Sequence, residues 1–254
     1  MTDPSTSVPP SAAATATRSP FQRLAGVLFA PAETFQDIAR KPDFVLPLVL
    51  ILVLQIIGAV TMAPKIDFGA MTRMQMEQSG RKMTEADMER AEKMGAAFGK
   101  VMFYTSPIWA IAIIVIIAAI LMLAFRLFGG DNNFMQSFSV TLYSWIPMAL
   151  LGLVSMIVIL SRESIDPMQM ATLVKSNPAF LVDMKTNPVL FSLLTSIDLF
   201  TIWTLFLLST GFAAISRLSR VKSAVLIVGL WLAFVFVKVG FAALGASAAA
   251  RAKA

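Results

Sequence analysis

The distribution of charge along the chain constrains its fold more than any other feature. The windows Phe44–Pro64, Val101–Phe125 and Asn132–Ser161 contain no Asp, Glu, Lys or Arg; Thr186–Ser216 and Ser223–Ala250 are each interrupted once, by Asp198 and by Lys238. A helix of about 20 predominantly apolar residues crosses a bilayer, so each window can span once. With 57% of 254 residues hydrophobic and 14% charged, the excess apolar surface has to face lipid. The expected fold is all-α, a polytopic transmembrane helix bundle of about five spans with interfacial amphipathic helices.

The spans fall at about 46–63, 107–128, 138–160, 189–215 and 224–244, within a membrane domain covering 46–245. The first is marginal in length and is also compatible with a re-entrant hairpin. Tyr104 and Trp109 suit the interface before the second, and Arg126 with the turn Gly129–Asn133 ends it. Pro147 lies inside the third, where a missing N–H and a ring clash predict a kink that shapes packing rather than a hinge for a substrate path. The fourth and fifth, joined by the tight basic turn Ser216–Lys222, read as a helical hairpin.

Outside the spans, residues 1–19 are rich in Ser, Thr, Ala and Pro and read as a disordered tail. Residues 20–45 read as interfacial helices. Phe21, Leu24, Leu28 and Phe29 share one helical face with Arg23 off it, and a second short helix follows Pro31. The polar loop 64–100 carries seven Lys/Arg and six Asp/Glu; from Thr84 it reads as a helix, with Asp87 three residues on as in a capping box. Residues 246–254 form a C-terminal tail. About 45 mostly polar residues precede the first apolar window, so no secretory leader is expected and the first span is retained.

Orientation rests on the short loops. Arg217, Arg220 and Lys222 form a basic turn without an acid, and with Arg40 and Lys41 they place the N-terminus in the cytoplasm. The seven basic residues of loop 64–100 oppose this count, but its acids nearly cancel them.

The chain has no cysteine and no histidine, which excludes thiolate chemistry, disulfides, Cys/His zinc sites and Ser-His-Asp triads. Gly95–Lys100 lacks the spacing of a phosphate-binding loop. Met71, Met74, Met76, Met83, Met88, Met94 and Met102 fit a soft apolar helix face better than a copper(I) site. No cofactor, metal or nucleic acid is expected. The expected company is membrane lipids and membrane or peripheral protein partners, with the oligomeric state open.

Apart from Arg126 at the end of the second, Asp198 and Lys238 are the only charges inside the spans. Counted from Ser219 they lie at depths differing by about 3 Å, so they are candidates for an intramembrane ion pair that fixes the register of spans four and five. The alternatives are a functional ion or proton site, or no pairing, with Lys238 snorkelling to the interface.

Three segments, "RLAGVLFAPAETFQDIARKPDFVLPLVL", "RLFGGDNNFMQSFSVTLYSWIPMALLGLV" and "SIDLFTIWTLFLLSTGFAAISRLSRVKSAV", occur in this order and resemble a bacterial member of the Yip family, named for interaction with Ypt/Rab GTPases. The resemblance covers about residues 20–245. It implies five spans, a cytoplasmic N-terminus and a short far-side C-terminus, in an inner membrane for a bacterial member. The long Met-rich first loop departs from the compact family pattern. The leading functional expectation is a non-enzymatic membrane-organising or scaffold protein; its rival is a transporter or permease component using the Asp198/Lys238 site.

Overall fold

The computed structural model describes residues 18–78, 83–162 and 167–253, so nearly all of the expected N-terminal tail lies outside it. The described residues contain helices and no strand. Two short helices come first, α1 (Pro20–Phe29) and α2 (Pro31–Arg40), followed by α3 (Val45–Met62). A hairpin of α4 (Phe68–Gln78) and α5 (Glu85–Tyr104) then leads into α6 (Ser106–Leu127). The remainder is α7 (Phe134–Ser144), α8 (Ile146–Leu160), α9 (Pro188–Leu194), α10 (Leu199–Ser216) and α11 (Arg220–Lys253).

Capping chemistry sets most of these boundaries. Ser19 and Asn133 open α1 and α7 with complete capping boxes closed by Gln22 and Gln136. Thr84 accepts from the Asp87 N–H at the start of α5, as its spacing predicts. Proline occupies the first turn of α1, α2, α6, α8 and α9, where its missing N–H costs nothing. The interruption expected at Pro147 therefore falls two residues upstream, at Trp145, and splits the third span into α7 and α8.

Among the described residues five segments are long and apolar enough to cross a membrane: Val45–Lys65, Ser106–Leu127, Phe134–Leu160, Leu199–Ser216 and Arg220–Ala248. Only 17% of the first window and 11% of the last is buried within the protein. Val53 and Val60 on α3, Ile116 and Leu123 on α6, and Phe234, Phe236 and Phe241 on α11 all point outward. An apolar surface this extensive is stable only against lipid, and the protein is a multi-pass membrane protein.

The core is concentrated at one end of the bundle. There Val27 of α1 and Phe35 and Ile38 of α2 pack with Phe125, Val140, Tyr143, Leu207 and Phe212. At its centre lies α7, whose residues Ser137–Ser144 are all buried. Its serines and threonine let neighbouring backbones approach closely. Gly211 does the same on α10: a Cβ there would sit 2.4 Å from Val140 Cγ1 and 3.0 Å from Phe35 Cδ1. At the other end α4 packs on α5 through Gly95 and Gly99, whose added Cβ atoms would collide with Thr72 and Phe68. The glycines of the "GAAFGK" stretch thus serve helix packing.

Two segments depart from the expected boundaries. Span four is interrupted at residues 195–198, because Asp198 caps a new helix instead of lying within one. Helix α11 runs on to Lys253, through most of the expected C-terminal tail.

Candidate functional site

Two polar nodes occupy opposite ends of the bundle. The first centres on Arg23, which the sequence sets off the apolar face of α1 and which in the structure is 2% exposed. Its Nε donates to Asp37 Oδ2 at 2.8 Å, and its Nη1 donates to the Lys41 carbonyl at 2.9 Å and to Asp43. The Tyr143 hydroxyl donates to the other oxygen of Asp43 at 2.7 Å, tying the node to α7. Gln136 Nε2 adds a bond to the Ala39 carbonyl at 3.1 Å. Arg18 closes the outer rim, reaching Thr34 and Glu33, each at 2.6 Å. Burial works against the Arg23 charge, but Asp37 and Asp43 outweigh it, and the guanidinium pKa stands above its ordinary value.

The expected apolar face is divided between core and surface. Of its four residues, Leu24 and Leu28 pack against the core, whereas Phe21 and Phe29 are 72% and 86% exposed. The fully buried line of α1 is Arg23 and Val27, one turn apart. The apolar periodicity of α1 alone points its face at the membrane. The carboxylates supplied by α2 and by the approach to α3 rotate Arg23 inward, where it is paired twice.

The second node lies at the break in span four. Asp198 Oδ1 accepts from the N–H groups of Phe200 and Thr201 at 2.8 and 3.3 Å, capping α10, while its other oxygen accepts from the Ser176 hydroxyl. The Ser176 carbonyl in turn accepts from the Leu199 N–H at 3.1 Å. Lys238 Nζ donates to Thr195 Oγ1 at 2.8 Å and Ser196 Oγ at 2.9 Å. The structure therefore brings both sequence-selected charges to one node, but no ion pair joins them directly. Backbone N–H groups at a helix start satisfy a carboxylate without the geometric demands of a buried ion pair. Each charge lies 18 residues, about 27 Å, from its end of the turn linking α10 to α11, hence at the far margin of a ~30 Å hydrocarbon core.

At the near end the basic turn is well defined. Arg217 adopts a left-handed conformation (φ 62°) and contacts Asp131 at 3.3 Å, with both side chains exposed. Arg220 and Lys222 begin α11. The Ala39 carbonyl accepts from Gln136 in the first turn of α7, and the Ser216 carbonyl accepts from the Asp131 N–H, so the end of α2 with Arg40 and Lys41 lies toward this same end.

Sequence reasoning missed Arg23, Asp37, Asp43 and Tyr143 as a group, and also Lys65, whose Nζ reaches the carbonyls of Ile159, Leu160 and Arg162 and so caps the end of α8. A usable signal was Tyr143 itself, one of two tyrosines in the chain and the one deep inside a charge-free window, where a buried hydroxyl needs a partner.

No curated protein and no solved structure matches the chain. The family model of the Yip1 domain matches residues 25–241, which takes in α2 with Asp37, Asp43 and Tyr143 of the first node though not Arg23, four spans whole and most of the fifth, and the polar node at Asp198. The protein is therefore a member of the Yip1 domain family.

Proposed function

We propose that the protein is a non-enzymatic organising or scaffold protein of a bacterial inner (cytoplasmic) membrane, acting through lipids and through membrane or peripheral protein partners. The observation that carries this reading is the α1–α2 hairpin. The Arg23 node fixes it rigidly to the bundle, and it holds Phe21 and Phe29 outward beside the membrane boundary. Such a preformed apolar edge suits a docking role, since little ordering entropy is lost when it is covered. Arg40, Lys41, Arg217, Arg220 and Lys222 gather at the same end, and the positive-inside rule assigns that end to the cytoplasm. The test is cross-linking and affinity purification from native membranes, with wild type compared against Phe21→Ser/Phe29→Ser. Stoichiometric proteins or selected lipids lost in the double variant support the reading; an identical set with both chains refutes it.

The broken fourth span favours a second reading, a transporter component, because discontinuous helices build many substrate sites. Against it, three donors already engage the Asp198 carboxylate, which is 5% exposed. Solute uptake by proteoliposomes that disappears in Asp198→Asn would favour transport over organisation.

A further inference from the structure

In α3 one polar side chain stands where a span least tolerates it. Gln55 lies near the centre of the charge-free window Phe44–Pro64, is exposed on the protein surface, and has no side-chain hydrogen bond among the described residues. A primary amide carries two donors and an acceptor with two lone pairs. In hydrocarbon these need a partner, and polar side chains of other spans supply it.

Gln55 also lines a groove of about 430 Å³ between α3 and α8, whose lining includes Phe103 and Ser106. Gly58 and Gly152 leave its walls bare: a Cβ on Gly152 would meet nothing within 4 Å, and one on Gly58 only the Met62 sulfur. The groove is therefore wide enough for close helix approach, beside a span of which only 17% is buried.

We propose that this groove seats a second copy of the chain, joined through Gln55 at the membrane midplane. The choice of occupant follows from the amide. Two copies inserted with the same orientation are related by a two-fold axis along the membrane normal, which keeps each residue at one depth and brings a residue that faces the axis opposite its own copy. Gln55 then meets the partner's Gln55, and each amide donates to and accepts from the other. A lipid acyl chain fills the groove without satisfying the amide. This inference is independent of the organising role proposed above.

The chain has no cysteine, so single cysteines report the contact directly. In liposomes, Gly58→Cys and Met62→Cys on the groove face should form disulfide-linked dimers, whereas Val53→Cys and Val60→Cys on the opposite face of α3 should not. By subunit counting after dilution in lipid, Gln55→Leu should weaken association about 3- to 30-fold, and Gln55→Asn should retain most of it. Monomers at every dilution, cross-links confined to Val53 and Val60, or association unchanged by Gln55→Leu would each overturn the proposal. The cysteine pattern decides the matter even if Gln55→Leu inserts poorly.

Discussion

Replacing Arg23 by Met tests whether a buried charge, rather than apolar contact, holds the α1–α2 hairpin to the bundle. The change keeps much of the side-chain volume but leaves Asp37 and Asp43 without their shared cation. Removing one partner of a buried pair costs ~3–5 kcal/mol. Here the two acids keep 13% and 25% side-chain exposure, and each keeps another donor, the Arg18 N–H and the Tyr143 hydroxyl. The lower end of the range therefore applies, about 3 kcal/mol, which raises the population of the undocked hairpin roughly 100-fold. Amide hydrogen exchange in α1 and α2 should accelerate by that factor while α6 and α10 stay protected. Tyr143→Phe removes a single bond to a charged group, about 1.5 kcal/mol, and should accelerate the same amides roughly tenfold. Unchanged protection of α1 in Arg23→Met would show that Val27, Phe35 and Ile38 suffice and would refute the role assigned to the node.

Four further outcomes follow from the geometry. Gly211→Ala drives a methyl into Val140 and Phe35 and should cost about 1–3 kcal/mol, read as a lower unfolding midpoint in detergent; Gly229→Ala, with open space around it in the interior of α11, should leave the midpoint unchanged or raise it slightly. Asp198→Ala should cost about 1–2 kcal/mol through the lost cap of α10, whereas Asp198→Asn, still a good cap, should cost much less in the same measurement. Lys65→Met should release the end of α8, at about 0.5–1 kcal/mol, with faster exchange confined to its last turn. In the α5 hairpin, Lys93 holds the Glu89 carboxyl below its usual pKa and Glu89 holds the Lys93 ammonium above its own. Their contribution is complete at neutral pH and fades as pH falls through the Glu89 pKa or rises through that of Lys93; thermal midpoints of Lys93→Gln against pH should lack both limbs.

The sequence reading located features whose cause is local. Thr84 and Asp87 mark the start of α5 because a side chain three residues from an N–H reaches it unaided. Pro147 announces a break because its own ring enforces one. Asp198 stands out because a charge in an apolar window is costly wherever it ends up. Its actual solution, capping a helix that starts inside the expected span, depends on Ser176 arriving from a distant loop.

By itself, then, the sequence determined the number of spans, the all-α class and the family, since charge-free length and helix caps are properties of contiguous residues. Only the tertiary structure decided which face of α1 turns inward. Arg23 is buried because Asp37, Asp43 and Tyr143, up to 120 residues away, converge on it. The same holds for Gln55, whose unmet amide is visible only once the neighbouring helices are in place and none of them supplies a partner. Periodicity records how apolar a helix face is; the charge and hydrogen-bond partners that other elements bring decide whether that face meets lipid, core or another chain.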